Sequence, residues 1–179
     1  MGQDKAQLRL GELSLLNRVA TTLRPLFSEV TVSVRQLRPE LALEQVCDPA
    51  GACGPLAGLA AGLERAETPW LFAVACDMPF ISPAVIACLA AHRSQTQAVV
   101  PLVGGHPQPL AAFYAVSCLA AVRAVLSGRG QHSLRALLEN LQVRYVEEAE
   151  LTVADPALRS FFDLDTPQDV AVAVSRGWQ

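Results

Sequence analysis

The sequence lacks any apolar run long enough to cross a membrane, although 51% of its 179 residues are hydrophobic. A spanning helix needs about 18 apolar residues in succession, and polar residues interrupt every apolar segment before that length. Segment 1–10 also lacks the basic stretch and following apolar stretch of a secretion signal. We therefore expect a soluble, cytoplasmic protein without a membrane partner.

Positive charge is scarce and scattered. The chain has 14 Lys and Arg against 17 Asp and Glu, which gives a net charge of −3. No basic stripe is present to neutralise the phosphates of a nucleic acid, so we expect no nucleic-acid partner. No two of the three histidines have metal-ligand spacing, and no serine lies in a nucleophile elbow, so hydrolase chemistry has little support.

The five cysteines form no C-x-x-C pair, and their odd number argues against a disulfide framework. They are Cys47, Cys53, Cys76, Cys88 and Cys118. We interpret them as small buried hydrophobic residues rather than as redox centres or metal ligands.

The order of apolar segments predicts one α/β domain over residues 1–179, because no repeat or linker divides a chain of this length. Helical and strand-like spacing alternate, which is typical of a layered domain with a largely parallel sheet. Helices are predicted at 14–27, 56–66, 83–92, 117–126, 133–141 and 166–175. Strands are predicted at 29–34, 70–76, 98–103, 108–114 and 143–146. One further short strand is predicted to end at Cys47 and Asp48.

Asp77 is the first candidate for chemistry. It directly follows the continuous apolar run 70–76, which is typical of a central parallel strand buried on both faces. Ligands of open α/β sheets bind beyond the carboxyl ends of the strands, and a carboxylate there suits Mg²⁺ held together with substrate phosphates. The alternative is an aspartate that caps the turn through Met78 and Pro79.

Asp48, the glycine-containing segment 51–58 and Lys5 are weaker candidates. Asp48 ends a predicted strand and could accept hydrogen bonds from a sugar or a base, or could simply start a turn. The glycines of 51–58 could let backbone N–H groups approach a ligand, or form only a tight loop. Lys5 could approach phosphate oxygens, although a lysine near a terminus is usually a solvated surface residue.

Four motifs in order resemble the molybdenum cofactor guanylyltransferase family. They are Met-Gly-Gln-Asp-Lys at 1–5, Asp48 with Gly-Pro-Leu-Ala-Gly at 54–58, Ala-Cys-Asp-Met-Pro-Phe at 75–80 and Phe-Asp-Leu-Asp-Thr-Pro-Gln-Asp at 162–169. The resemblance spans essentially the whole chain. It implies a Rossmann-like nucleotidyltransferase domain with three layers.

The activity implied by the resemblance is transfer of GMP from GTP to the terminal phosphate of the molybdenum-molybdopterin cofactor, with release of pyrophosphate. Lys5 would contact the GTP phosphates, Asp48 and the glycine loop would help to hold the nucleoside, and Asp77 would bind Mg²⁺. Molybdoenzymes or their chaperones would be partners. Asp163 and Asp165 stand where the family often has asparagines near the pterin, so the resemblance assigns them no role.

The chain departs from the family at its start. The family's motif opens with a β-strand and a Leu-Ala-Gly-Gly loop ending in Arg-Met-Gly, and Met1 corresponds to that methionine. We expect an in-frame extension to supply this strand and loop, because segment 7–10 is too short and polar to be a central strand. The related cytidylyltransferase and a non-catalytic binding domain that has lost its phosphate loop are the competing interpretations.

Overall fold

The structure is a computed structural model that describes residues 8–128 and 131–178. The strands are β1 (Arg9–Leu10), β2 (Leu13–Ser14), β3 (Thr31–Val34), β4 (Glu44–Cys47), β5 (Trp70–Val74), β6 (Ala98–Val103), β7 (His106–Pro107), β8 (Ala111–Ala115) and β9 (Val143–Val146). The helices are α1 (Leu15–Leu23), α2 (Pro55–Arg65), α3 (Pro83–Ala90), α4 (Leu119–Ser127), α5 (Leu134–Leu138), α6 (Glu148–Ala154) and α7 (Pro167–Ser175).

Helices cover both faces of the larger sheet, which confirms the predicted three-layer α/β fold. Successive strand residues point to opposite faces, and β6 and β8 follow this rule. Ala98 and Tyr114 pack against α2, α4 and α5, whereas Val99 and Phe113 pack against α1, α3 and α6. All four residues are almost completely buried.

The strand pairing is mixed, so the sheet is less parallel than its sequence suggests. β3 pairs with β4 and β6 pairs with β9 in parallel, but β8 lies between β5 and β6 and is antiparallel to both. The short hairpin through Gly104 and Gly105 explains part of the antiparallel pairing. It joins β6 directly to β7, and a tight turn joins only antiparallel strands.

Among the described residues, the strand at Trp70–Val74 lies at a sheet edge and is antiparallel to its neighbour, which differs from its predicted place as a central parallel strand. In this part of the chain β5 pairs with β8 along one edge, and β3 pairs with β4. All five β5 residues are half-buried. Their apolar character is explained by contacts on both faces, for example the stacking of Phe72 on Phe27 with ring centroids 5.7 Å apart.

Capping residues fix several helix starts where the sequence predicts them. Ser14, Ser82 and Thr166 accept hydrogen bonds from backbone N–H groups in the first turns of α1, α3 and α7. Helix α1 ends at Leu23 rather than Phe27, because Pro25 cannot continue a helix.

Helix α6, the hairpin of β1 and β2, and strand β7 are absent from the sequence-based prediction. Helix α6 begins with a capping box between Glu147 and Glu150, and β1 and β2 form a hairpin of two residues per strand. In the parts of the chain that the structure describes, no helix is both long enough and apolar enough to cross a membrane.

Candidate functional site

A cleft of about 860 Å³ separates β3 from β5. Segments 30–31 and 70–77 line its two sides, Gly58 and Leu59 of α2 face it from one layer, and Phe27 faces it from the other layer. The edges of β3 and β5 that pair with no other strand among the described residues therefore line one pocket, which two helical layers partly enclose.

Ion pairing identifies the two ends of the cleft. Arg65 is the last residue of α2, which precedes β5 in the chain, and it contacts Glu29, just before β3, at 2.7 Å. The opposite end carries Ser33, Asp48 and Asp77, which lie at or just beyond the carboxyl ends of β3, β4 and β5. Both predicted carboxylates thus line one cleft at the end of the sheet where α/β proteins bind ligands.

Asp48 is half-buried and continues the β3–β4 ladder. Its backbone N–H donates to Val34 O at 3.0 Å. Its side-chain Oδ1 accepts a hydrogen bond from Ser33 Oγ at 2.6 Å. The side chain is therefore tied to the neighbouring strand while it faces the cleft.

Asp77 is half-buried at the point where β5 leads into the buried turn residues Met78 and Pro79. Its backbone carbonyl accepts a hydrogen bond from Leu164 N–H at 2.8 Å. This bond brings the motif that contains Asp163 and Asp165, both exposed, next to the turn that carries Asp77.

The segment before α2 has the backbone geometry that makes glycine necessary. Gly51 and Gly54 have φ of +81° and +87°, and space is open around a Cβ at either position. Gly54 is the N-cap of α2 and supplies no side-chain cap. Gly54 and Pro55 line the cleft, so the positive end of the helix dipole is directed toward it.

Lys5 lies outside the described residues, so its predicted place at the phosphates stays a prediction. The structure adds one cation that the sequence analysis missed. Arg35 directly follows β3, is exposed and lines the cleft. The rule that points to Asp48 and Asp77, a polar residue at the carboxyl end of a strand, would have identified Arg35 as well.

The five cysteines are free, in line with the expected lack of disulfides, but they are not uniformly buried. Cys118 is buried, and burial raises the pKa of its thiol to about 11. Cys47 and Cys53, on either side of Asp48, are exposed. The interpretation of all five as buried residues was wrong, because Cys47 is the exposed last residue of β4 and Cys53 lies in the loop before α2.

The donor set around Asp77 suits Mg²⁺ that is shared with a substrate. No group of three or more His, Cys, Asp or Glu side chains able to hold a metal occurs within residues 8–128 and 131–178. Mg²⁺ is commonly held by one or two carboxylates together with substrate phosphates. Asp77 supplies a carboxylate just beyond the end of β5, which fits that mode of binding.

Comparison with known proteins identifies the family. The sequence profile of the MobA-like NTP transferase domain matches residues 1–147. The chain belongs to this family. A probable molybdenum cofactor guanylyltransferase of Pelotomaculum thermopropionicum is 34% identical over 177 residues, covering 97% of this chain and 85% of that protein. The corresponding protein of Chloroflexus aggregans is 36% identical over 177 residues, covering 94% and 85%.

Solved structures place this MobA-like nucleotidyltransferase in the same fold. Molybdopterin-guanine dinucleotide biosynthesis protein A from Archaeoglobus fulgidus aligns with a TM-score of 0.85 at 27% identity, over 98% of this chain and 91% of that chain. A 2-C-methyl-D-erythritol 4-phosphate cytidylyltransferase from Thermus thermophilus aligns with a TM-score of 0.68 at 23% identity, over 98% and 94%. The second likeness concerns the fold alone.

Proposed function

We propose that this nucleotidyltransferase transfers GMP from GTP to the terminal phosphate of the molybdenum-molybdopterin cofactor. An oxygen of that phosphate attacks the α-phosphorus of GTP, the bond from the α-phosphorus to the bridging oxygen breaks, and pyrophosphate leaves. The observation that carries the proposal is the position of Asp48 and Asp77 at one end of a single cleft. The names of the relatives support the choice of substrates.

Different residues of the cleft bind different parts of the nucleotide. Asp48 accepts a hydrogen bond from the nucleoside, and the N-terminus of α2 at Gly54 favours negative charge nearby. Lys5 and Arg35 supply positive charge to the triphosphate. Nucleotidyl transfer depends mainly on positioning and charge neutralisation, so it needs no covalent intermediate on the protein.

Asp77 is the residue that would hold Mg²⁺. The bound ion would neutralise phosphate charge and orient the leaving pyrophosphate. The half-buried position of Asp77 limits its access to water and strengthens its interaction with a cation.

The direct test is an assay with GTP labelled at the α-phosphate, Mg²⁺ and molybdenum-molybdopterin. We expect the label in a dinucleotide cofactor and pyrophosphate in equal amount. Label transferred only from CTP would instead identify a cytidylyltransferase.

Thermal unfolding with each nucleotide separates binding from turnover. A ligand at about 100 times its dissociation constant adds about 2.7 kcal/mol to the free energy of unfolding. We expect that stabilisation from GTP with Mg²⁺ and much less from CTP or ATP. Folded protein that no nucleotide stabilises would favour the non-catalytic binding domain.

A further inference from the structure

Three elements of the fold hold the side chain of Asp48. Strand β4 leads into Asp48, and the adjacent strand β3 supplies the Ser33 hydroxyl that donates to Oδ1 at 2.6 Å. Hydrogen bonds from a hydroxyl to an ionised carboxylate are typically about 2.5–2.7 Å long. The contact between Ser33 and Asp48 has the length of this stronger, charge-assisted class.

Helix α2 packs against the hydrogen-bonded side chains of Ser33 and Asp48. A Cβ built on Gly58 would lie 2.8 Å from Ser33 Oγ, 3.1 Å from Ser33 Cβ and 3.9 Å from Asp48 Oδ1. Gly58 lies inside a helix, so its backbone conformation does not require glycine. The space that the Ser33 hydroxyl occupies is what requires glycine at 58.

We propose that Ser33 is a positioning residue that fixes the carboxylate of Asp48 for a hydrogen-bond donor of the bound nucleoside. Ser33 engages Oδ1, and no hydrogen bond to Oδ2 is found within the described chain, so Oδ2 is the acceptor open to a ligand. A side chain already held in one rotamer loses less conformational entropy when a ligand binds. The inference rests on the proposed function, because it needs Asp48 to contact nucleotide.

The first test compares Ser33→Ala with Ser33→Thr, which keeps the hydroxyl. Losing a hydrogen bond to a charged group should raise the KM and the Kd for GTP about tenfold, with kcat within about twofold of wild type. Ser33→Thr should restore binding. A fall in kcat with unchanged binding, or no effect of Ser33→Ala, would overturn the positioning role.

The second test uses two glycines one turn apart on α2. Gly58→Ala should reproduce the binding loss of Ser33→Ala, because the new methyl group displaces the Ser33 hydroxyl. Gly62→Ala is the matched control, since its Cβ would also meet an atom at 2.8 Å, but that atom is Cδ1 of Leu71. Equal losses of binding in both variants would indicate general packing damage and contradict the proposal.

A double-mutant cycle tests whether Ser33 acts through Asp48. In an Asp48→Asn background, Ser33→Ala should have little further effect on nucleotide affinity, because coupled residues are not additive. Additive losses would show that Ser33 acts independently and would reject the inference.

Nucleotide analogues identify the donor that Asp48 binds. Inosine triphosphate lacks the 2-amino group of GTP, and 2′-deoxy-GTP lacks one sugar hydroxyl. Ser33→Ala should abolish the preference for GTP over the analogue that lacks the relevant donor and leave the other preference intact. If neither preference changes, the carboxylate that Ser33 positions binds neither the 2-amino group nor the 2′-hydroxyl.

The Kd values of wild type and of each variant are measured with GTP and with CTP, so that the base assignment and the positioning role are tested separately. If wild type prefers CTP, the guanylyltransferase assignment fails, and the Kd values for CTP then decide the positioning role. If the Ser33→Ala variant binds the preferred nucleotide as tightly as wild type, the positioning role fails and the base assignment stands.

Discussion

Ser160 connects the segment before the 162–169 motif to Ser82, the N-cap of α3. Removing its hydroxyl group should measurably lower the free energy of unfolding. The residue is fully buried. Its Oγ accepts the backbone N–H of Ser82 at 3.1 Å, and its own N–H donates to Oδ2 of the buried Asp155 at 2.7 Å. Two residues after the 3-10 turn at Arg159–Phe161, the Asp163–Asp165 motif begins.

Ser160→Ala leaves the N–H of Ser82 without its partner. An unsatisfied buried donor costs about 1–3 kcal/mol, and the half-buried position of Ser82 favours the lower part of that range. For a domain of this size each kcal/mol lowers the Tm by about 2–4 °C. We therefore expect a loss of about 1–2 kcal/mol in the free energy of unfolding and a fall in Tm of about 2–8 °C.

Urea unfolding and calorimetry of Ser160→Ala, Asp155→Ala and Ser175→Ala measure this effect. Asp155→Ala should cost at least as much as Ser160→Ala, because it leaves the buried N–H of Ser160 unpaired. Ser175→Ala is the control, since Ser175 is exposed in the last turn of α7, and it should change stability by less than about 0.5 kcal/mol. If Ser160→Ala and Asp155→Ala both stay below that value, the reasoning is wrong.

Three further predictions concern the cleft and the cysteines. Asp77→Asn should keep the Tm near that of wild type and lower turnover on the order of 100-fold; near-normal guanylyl transfer would reject Asp77 as the metal ligand. Arg35→Ala should raise the KM for GTP about tenfold with little change in Tm, because Arg35 is exposed at the cleft; an unchanged KM would remove Arg35 from the site. Burial raises the pKa of Cys118 to about 11, so mass spectrometry after iodoacetamide at pH 8 should find the exposed Cys47 and Cys53 modified first; early modification of Cys118 in folded protein would contradict its burial.

Local sequence rules predicted the helix starts and most strands because their causes are local. A serine or threonine that accepts a hydrogen bond from an N–H in the first helical turn fixes the start of α1, α3 and α7 regardless of the rest of the fold. Strand direction has no such local signal. The antiparallel insertion of β8 between β5 and β6 depends on contacts between segments about 15 and about 40 residues apart, so an alternation of helices and strands could not reveal it.

The residues of the candidate site also fall into two groups, those that local sequence predicts and those that depend on tertiary contacts. Asp48 was predicted because it ends a predicted strand, and Asp77 because it directly follows an apolar strand. Gly58 belongs to the predicted glycine segment 51–58, but its contact with Ser33 could not be predicted, because that contact arises from the approach of α2 to the end of β3. Arg35 was missed although it follows a strand, since an arginine in the polar segment after β3 resembles a solvated surface residue.

The cleft ties the stability of the fold to the nucleotide site. β3 and β5 each have backbone groups directed into it, because each is hydrogen-bonded along one edge only within the described residues. The ion pair between Arg65 and Glu29 brings the starts of both strands to the same end. Asp48 and Asp77 line the same cleft at the carboxyl ends of β4 and β5. A nucleotide bound between them would hold these two strand ends together, so nucleotide binding would add to the stability of the fold.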